Sequence, residues 1–376
     1  MRDLQEIRPD IDRVDRELVR LFEERMGLCA EVAEYKIAAG KSVLDSGREA
    51  EKLSALKELA DSEFTAQCIG ELFTQLMAMS RKLQYQKLAQ KGVCTGFGFT
   101  AVDDLKQGDV TVVYQGVEGA YSHQAMLQYF GAEVKNFNVR TFREAMEAIR
   151  DGKADYAVLP IENSSAGSVM DVYDLLIEFK NCIVAETSVK VEHALLGLPE
   201  ASIDDITTVH SHPQGLMQCS RFLEQHREWQ SISELNTAGS ARKVLETGDK
   251  SHAAIASELA GKLYGLKVLQ RCVNHNRDNT TRFLIISRDR IYTRKAKKVS
   301  ISFELPHTSG TLYNMISHVI FNHLNMTKIE SRPIEGRNWE YRFIIDVEGR
   351  MSDAGMENAL LGIREEAKSF RILGNY

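Results

Sequence analysis

Apolar residues in the first quarter of the chain recur at the three- and four-residue intervals of an amphipathic helix. The longest such stripe comprises Leu4, Ile7, Ile11, Val14, Leu18, Leu21, Leu28, Val32 and Tyr35. It predicts a first helix over about residues 3–39. A second helix follows from near Arg48, capped by Asp45 or Ser46. The same periodicity predicts a third helix over about residues 62–90.

The predicted first helix is unusually long for so small a helical region. At 1.5 Å per residue it would extend about 50 Å, which is more than three helices of one chain can cover. We therefore expect a second copy of the chain to complete the core, as an intertwined all-α dimer.

From Val110 the pattern changes to short β-branched runs separated by helical segments. Buried parallel strands are predicted at VTVVY (110–114), YAVLPI (156–161), CIVAET (182–187), ITTVH (206–210) and AAIAS (253–257). The helices between them are predicted at residues 122–130, 142–151, 213–226 and 240–246. This alternation indicates an α/β region, arranged in two lobes.

The last segment has its own pattern. It begins with an alternating strand at 298–305, followed by a helix at 310–323, two further strands and a final helix. This βαββα order predicts a small α+β domain. The glycine-rich residues 92–109 and the basic residues 289–297 predict linkers. The predicted domains are therefore residues 1–91, 110–288 and 298–376.

Composition narrows the possible functions of the 376 residues. The net charge of −6 argues against non-specific nucleic-acid binding, which needs a basic face. No apolar run approaches the roughly 20 residues of a membrane span, and the charged start does not resemble a signal segment. Six cysteines without a CxxC pair indicate reduced thiols, so we expect a cytoplasmic protein. His210 and His212 lack further ligands nearby, so we expect a structural or substrate-facing pair rather than a metal site.

Polar residues interrupt the helical stripes at several positions. Arg25 falls where the first helix should bury an apolar residue, and Lys36 lies nearly in line with it. A cation that faces a core is costly unless an anion meets it, which indicates a site for a small polyanion. Alternatively, Arg25 could snorkel to solvent or could set the helix register, and Ser80 and Gln84 could be hydrogen-bonded core residues. We expect one cavity to be lined by polar and charged residues from the loop and the three helices, namely Arg25, Lys36, Asp45, Arg48, Glu49, Ser80 and Gln84.

These residues resemble the all-helical class of chorismate mutase over about residues 1–90. In that family chorismate rearranges to prephenate in a concerted step that needs no cofactor or metal. The resemblance implies that Arg25, with Arg8 of a partner chain, binds the two carboxylates of the substrate, and that Arg48 helps to shape the site. It further implies that Lys36 and Gln84 donate to the ether oxygen as its bond breaks.

The remaining polar positions have a related role in the same family. By resemblance, Glu49 and Asp45 hold the ring hydroxyl, with Ser80 in support. Such a site would act by binding a compact conformer and stabilising developing charge.

The α/β region carries a second set of motifs. After the first strand comes GVEGAYS, in which Gly116 and Gly119 permit a tight turn and Ser122 can cap the next helix. Taken separately, this is an ordinary strand-to-helix turn. Together with PIENSSAG (160–167), HSHPQ (210–214), NTAGSA (236–241) and NTTRF (279–283), it resembles prephenate dehydratase over about residues 110–288. The resemblance implies two lobes like those of periplasmic binding proteins, with prephenate in the cleft losing CO₂ and hydroxide to give phenylpyruvate.

The family assigns a key role to the threonine of the TRF motif, here Thr281. A threonine is a weak acid, so we expect it to position the departing hydroxyl within a donor network. Arg282 and Phe283 complete the motif, although Arg282 could equally be a structural ion-pair partner. The other cleft candidates are Ser122, Glu162, Asn163, His212 and Gln214. Glu162 could instead be structural, because an acid repels a dianion.

The C-terminal segment resembles an ACT regulatory domain, through GTLYNMI (310–316) and ESRP (330–333). Thr311 replaces the smaller alanine that is common in that motif. The resemblance implies that phenylalanine binds at a dimer interface and inhibits the dehydratase, near Gly310, Leu312, Asn325, Glu330 and Ser331. The alternative is a module that serves only for dimerisation.

The three resemblances cover nearly the whole chain, in the order of the bifunctional chorismate mutase–prephenate dehydratase family. This family implies a cofactor-free homodimer or higher homo-oligomer whose substrates are chorismate and prephenate and whose inhibitor is L-phenylalanine. An alternative is a chorismate mutase fused to a non-catalytic, amino-acid-responsive binding module.

Overall fold

The computed structural model describes residues 2–92, 96–106, 108–334 and 336–376. Cys94 and the predicted linker residues 93–95 and 107 lie outside this description. The chain forms two compact units, Met1–Phe99 with Lys297–Ile372, and Thr100–Ala296 with Leu373–Tyr376. The predicted first and third domains therefore belong to one unit.

Both units mix helices and strands. The helices are α1 (Leu4–Ala38), α2 (Ser46–Lys57), α3 (Glu63–Gln90), α4 (Tyr121–Phe130), α5 (Phe142–Arg150), α6 (Met170–Phe179), α7 (Pro213–Gln218), α8 (Ser220–Leu223), α9 (Thr237–Thr247), α10 (Glu258–Leu263), α11 (Thr311–Phe321) and α12 (Ala354–Glu366). The strands are β1 (Thr100–Val102), β2 (Thr111–Gln115), β3 (Lys135–Val139), β4 (Tyr156–Asn163), β5 (Gly167–Ser168), β6 (Cys182–Lys190), β7 (His193–Gly197), β8 (Thr208–Ser211), β9 (Gln230–Ser233), β10 (His252–Ser257), β11 (Lys267–Gln270), β12 (Thr280–Ser287), β13 (Ile291–Thr293), β14 (Lys298–Glu304), β15 (Met326–Pro333), β16 (Tyr341–Glu348) and β17 (Ser369–Asn375).

The three N-terminal helices are confirmed close to their predicted bounds. Asp45 is the N-cap of α2, and its carboxylate accepts from the backbone N–H of Arg48 at 3.1 Å. Ser62 caps α3 in the same way through Thr65. These side chains satisfy backbone donors that a helix start leaves unpaired, which explains where both helices begin.

The long first helix has one covered side. It packs against α3, yet among the described residues of α1 only Ala33 is fully buried. Its apolar stripe is largely exposed, with Leu4 at 67% and Leu18 at 55% of full exposure. A contiguous exposed apolar face of this kind marks an interaction surface. None of the described helices is both long and apolar enough to span a membrane.

The C-terminal part of this unit is an antiparallel sheet with two helices. Strand β16 lies between β14 and β15, and β17 follows α12 beside β14, one strand beyond the predicted βαββα order. Helices α11 and α12 pack closely, since a Cβ on Gly362 would stand 2.3 Å from His318 Nδ1. Leu361 of α12 joins Val43 and Tyr85 in a small core. The helical and C-terminal parts therefore share buried surface.

The first lobe of the other unit is a mixed sheet. Strand β2 is parallel to β4, as predicted, and also to β3, a strand that was not predicted. Strand β12 is antiparallel to both β4 and β6, so residues 182–187 run in the same direction as β4, as predicted, but are separated from it by one reversed strand. The reason is the chain path, because β12 returns from the second lobe and enters the sheet in the reverse direction.

The second lobe has the strand order β11-β7-β10-β8-β9. The predicted helix over residues 213–226 is interrupted at buried Cys219 and forms two short helices, α7 and α8. The predicted linkers also contain structure, because β1 and β13 pair in parallel, with Thr100 opposite Ile291. These three-residue strands are too short to show an alternating pattern.

The two lobes approach each other at the glycine turn. Gly119 has a φ of +84°, and a Cβ there would stand 2.8 Å from the Cα of Ala260. The Ser257 hydroxyl donates to the carbonyl of Gly119 at 2.8 Å. Gly119 is therefore required both for its backbone conformation and for the close contact of the lobes.

Candidate active sites

The first candidate site is organised around the arginine that interrupts the stripe of α1. Arg25 is half-buried, and its Nη1 donates to Ser80 Oγ at 2.6 Å and to the carbonyl of Leu76 at 3.2 Å. Ser80 in turn donates to the same carbonyl. The structure thus brings together the polar interruptions of α1 and α3, and the guanidinium retains donors for an incoming anion.

Lys36 and Gln84 lie on the same two helices. Lys36 Nζ donates to the carbonyl of Val43 at 2.5 Å. Burial lowers the pKa of Lys36 below its usual value of 10.5, although the carboxylates of Asp45 and Glu49 oppose this shift. Gln84 is buried, and its Oε1 has no hydrogen-bond partner among the described residues. A buried, unpaired amide oxygen is costly, which is typical of a binding site rather than of a core.

The predicted residues of α2 differ in exposure. Asp45 and Arg48 are exposed, and the Asp45 carboxylate is engaged by the α2 cap. Glu49 is half-buried, and both of its oxygens accept from Nη1 of Arg81, at 2.8 and 2.6 Å. Arg8 is exposed on α1.

Arg81 is a residue that the sequence analysis missed. It is 7% exposed and also donates through Nε to Glu366 Oε1 at 2.8 Å. Burial raises the pKa of a carboxyl, yet His318 and Arg81 outweigh it and lower the pKa of Glu366 to about 2. Burial likewise opposes the charge of Arg81, but Glu366 and Glu49 more than offset it and raise the pKa of the guanidinium. The sequence signal for Arg81 is a cation between Ser80 and Gln84. No local pattern identifies its partner Glu366, which is 285 residues away along the chain.

The second candidate site surrounds Thr281 on β12. Thr281 is 9% exposed, and its Oγ1 accepts from Asn163 Nδ2 at 2.8 Å. The orientation of the Asn163 amide is fixed, because its Oδ1 accepts from the backbone N–H groups of Ser165 and Ala166. Because the hydroxyl of Thr281 accepts here, its own hydrogen is available to another acceptor.

Asn279 is a second residue that the sequence analysis did not assign, although it belongs to the NTTRF motif. Its Oδ1 accepts from Asn163 Nδ2 at 2.9 Å. It is 1% exposed, and its Nδ2 has no partner among the described residues. The amide nitrogen of Asn163 is therefore the donor to Thr281, and Asn279 accepts from the same nitrogen.

The other two residues of the TRF motif have structural contacts. Arg282 bridges Glu162 at 3.0 Å and Glu186 at 3.2 Å, which favours the ion-pair interpretation for Arg282 and the structural one for Glu162. Phe283 is 1% exposed and packs in the core of the first lobe with residues such as Val158. This burial indicates a core role, and the assignment of Phe283 to substrate binding stays a prediction.

Ser122 does not cap a helix as predicted. The N-cap of α4 is Ala120, without a side-chain cap, and Ser122 lies within the helix, where its hydroxyl donates to the carbonyl of Gln115. This contact ties α4 to the end of β2. It fixes the turn that contains Gly116, whose φ is +113°.

The histidines of the HSHPQ motif have separate contacts. His212 caps α7, and its Nδ1 accepts from the backbone N–H of Gln214 at 3.2 Å. Buried His210 contacts Glu234 at 3.0 Å and His252 at 2.9 Å. No group of three or more potential ligands is arranged for a metal ion in the described part of the chain.

The C-terminal segment contains a cavity of about 340 Å³ beside the start of α11. Leu312, Tyr341 and Phe343 supply apolar walls. Gly310 is the N-cap of α11 with a φ of +80°, and the Thr311 hydroxyl donates to the carbonyl of Thr308 at 2.9 Å. Thr311 therefore stabilises the turn that forms one side of the cavity.

The remaining predicted regulatory residues lie on or near β15 and are not among the residues that line that cavity. Asn325 precedes the strand and donates to Glu348 at 2.9 Å. Glu330 and Ser331 are on β15 itself, which is the edge strand of its sheet. Ser331 is exposed.

Two family models match this chain, one in each of the regions that contain the candidate sites. The family model of prephenate dehydratase matches residues 112–291, and that of chorismate mutase type II matches residues 7–85. The bifunctional chorismate mutase/prephenate dehydratase of Escherichia coli strain K12 is 32% identical over 376 residues, which cover 98% of this chain and 95% of that protein.

Solved structures resemble a large part of the chain. The prephenate dehydratase of Arthrobacter aurescens in complex with L-Phe is 29% identical with a TM-score of 0.67, covering 71% of this chain and 90% of that one. GqqA, described as a quorum quenching acylase, is 34% identical with a TM-score of 0.66, covering 71% and 97%.

The chain therefore belongs to the family of bifunctional chorismate mutase/prephenate dehydratases. The predicted family and its two enzyme activities, an isomerase and a carbon–oxygen lyase on the route to phenylalanine, are confirmed. The N-terminal helical region and the α/β fold of the dehydratase are confirmed as well.

Proposed function

We propose that Arg25, Lys36, Gln84 and Glu49 form the core of the chorismate mutase site. Arg25 would bind a substrate carboxylate while Ser80 orients its guanidinium. Lys36 and Gln84 would donate to the ether oxygen, and Glu49 would accept from the ring hydroxyl. The contact of Arg25 with Ser80 supports this assignment, because it joins the polar residues that interrupt the apolar stripes of α1 and α3.

The same proposal gives supporting roles to three residues at the edge of the site. Asp45 would assist Glu49, and Arg48 would shape the entrance, since both are exposed at the start of α2. Arg8 is also exposed. It would serve the site of a second copy of the chain. The exposed stripe of α1 supports a homodimer, because a partner helix would bury it.

Thr281 would position the departing hydroxyl of prephenate in the dehydratase site. The single observation that carries this proposal is the 2.8 Å hydrogen bond from Asn163 to Thr281, which turns the hydroxyl into a donor for the substrate. Asn279 would act with Asn163. Loss of hydroxide and CO₂ is driven by aromatisation, so a directed donor and a grip on the carboxylates suffice.

Ser122, His212 and Gln214 would complete the cleft. Their contacts support a positioning role, since Ser122 ties the glycine turn to β2 and His212 caps α7 through Gln214. Glu162 and Arg282 would hold β4 and β12 in register.

The C-terminal residues 298–376 would form an ACT domain that binds phenylalanine and inhibits the dehydratase. The apolar cavity beside Leu312 supports this proposal, as does the L-Phe complex of the Arthrobacter dehydratase. Gly310, Asn325, Glu330 and Ser331 would take part at an interface between two copies. We further propose residues 1–91 and 110–288 as the two catalytic domains, and a cytoplasmic location.

A pair of variants tests the two sites separately. Arg25→Ala should abolish the rearrangement of chorismate and leave the dehydration of supplied prephenate intact, whereas Thr281→Ala should do the reverse. Both activities are measured on the full chain, one by loss of chorismate and the other by appearance of phenylpyruvate. An equal effect of either variant on both activities, without unfolding, would contradict the two-site assignment.

A further inference from the structure

The contacts of Arg81 extend from the mutase site into the C-terminal segment. We propose that Arg81 is a positioning residue for the mutase reaction, which orients Glu49 and is itself held in place by Glu366 of α12. This inference rests on the proposed role of Glu49. It adds a residue of the C-terminal segment to the mechanism of the N-terminal one.

The contact between Arg81 and Glu49 does not by itself restrain the rotation of the Glu49 carboxylate. Both oxygens of Glu49 accept from the single nitrogen Nη1 of Arg81. A carboxylate bound through one nitrogen can pivot about it, whereas a fork of two nitrogens fixes the plane. The direction of Glu49 therefore depends on how the guanidinium plane is held.

Glu366 supplies that restraint. It accepts from Nε of Arg81 at 2.8 Å and from Nη2 at 3.3 Å, which is the two-nitrogen fork. Its position is fixed from the other side by His318, whose Nε2 lies 3.2 Å from Oε1. The side chains of Arg81 and Glu366 are 8% and 10% exposed, so little water competes for these contacts.

The Glu49 carboxylate retains capacity for the substrate. Its side chain is 27% exposed, and a carboxylate has about four acceptor sites, of which Arg81 uses two. The buried ion pair thus holds the inner edge of Glu49 and leaves the outer edge for a hydroxyl donor.

The test compares Glu366→Gln, Arg81→Lys and Glu49→Gln in the full chain. Glu366→Gln and Arg81→Lys should each lower kcat of the mutase about tenfold, because small misplacements of a catalytic group cost rate. KM for chorismate should change less than about twofold, since Arg25 still binds a carboxylate. The rate with supplied prephenate and the melting curve report whether the fold is retained. Arg143→Lys, in an exposed two-nitrogen pair with Glu178, is the matched control and should leave the mutase unchanged.

A double variant separates positioning from a general structural effect. If Glu366 acts through Glu49, the combination of Glu49→Gln with Glu366→Gln should be no slower than Glu49→Gln. Should the single variants destabilise the fold, Arg81→Leu with Glu366→Leu replaces the buried pair by apolar groups and should show the same loss of kcat.

The outcomes are distinct. A Glu366→Gln variant with unchanged mutase kcat, beside an impaired Glu49→Gln, overturns the inference, and so do additive effects in the double variant. An unimpaired Glu49→Gln would instead contradict the proposed mutase site.

Discussion

Asn163 holds the hydroxyl of Thr281 from one side, with its amide nitrogen 2.8 Å from Oγ1. The same asparagine orders the turn after β4 through its carbonyl oxygen, which accepts from two backbone N–H groups. One side chain therefore links the fold of the PIENS motif to the orientation of the TRF threonine.

Replacing Asn163 by aspartate separates these two roles. Asn163→Asp keeps an acceptor for the turn but removes the donor to Thr281, so the hydroxyl loses its orientation. We expect the dehydratase kcat to fall about 100-fold, within the range of a misplaced proton donor, while the melting temperature stays close to that of the parent. Thr280→Val is the control, because the hydroxyl of Thr280 donates to the carbonyl of Asp278 instead. An unchanged rate in Asn163→Asp would contradict the role of this hydrogen bond.

The lowered pKa of Lys36 predicts a pH dependence of the mutase. Burial favours the neutral amine, so the ammonium that donates to the ether oxygen is lost as pH rises through a pKa below 10.5. The mutase kcat/KM should therefore fall on the alkaline side at a lower pH than an ordinary lysine would give. Lys36→Arg stays charged and should move this decline upward, even if its rate is lower. A profile that is identical in both enzymes would show that another group titrates.

The exposed stripe of α1 predicts that a single charge disrupts assembly. Leu18→Glu places a carboxylate in the middle of the apolar face and should weaken the proposed association of two copies through α1, measured as a lower association constant in analytical ultracentrifugation. Mutase activity should fall with it, because Arg8 of a second copy is no longer supplied, while the dehydratase rate with supplied prephenate persists. Arg16→Glu introduces the same carboxylate on the opposite side of the helix and is the control. A monomer that retains full mutase activity would contradict the shared site.

The apolar cavity beside α11 predicts the residue that controls inhibition. Leu312→Ala removes part of its wall and should raise the phenylalanine concentration for half-inhibition of the dehydratase about tenfold, equivalent to about 1.4 kcal/mol. The rate without phenylalanine should not change. The neighbouring Tyr313 is 58% exposed, so Tyr313→Ala is the matched control. Failure of phenylalanine to inhibit the parent enzyme at millimolar concentration would remove the regulatory proposal.

The elements with strong local signals could be predicted from the sequence. The bounds of α1 follow from its apolar stripe, and the start of α2 from the capping chemistry of Asp45. The direction of β12 could not be predicted, because a buried strand has the same composition in parallel and antiparallel neighbourhoods. Its direction depends on the return path of the chain from the second lobe, which no local pattern specifies.

Part of each candidate site could also be predicted from the sequence. Positions such as Arg25 and Ser80 stand out because they interrupt an apolar periodicity. Arg81 did not stand out, because a basic residue on a helix usually faces water and its partner Glu366 comes from a distant segment. Asn279 was missed for another reason, since an asparagine before a strand is typical of a turn and its burial depends on the tertiary fold.

The contact between Gly119 and Ala260 has a consequence for how the dehydratase part can vary. Any larger amino acid at residue 119 would act as a wedge at the junction of the lobes, because the main chain at Ala260 would have to shift to make room for it. The amino acid at residue 119 therefore influences the width of the cleft between the lobes. We expect Gly119→Ala to change the rate of the dehydratase, although its added methyl group would contact no reacting atom.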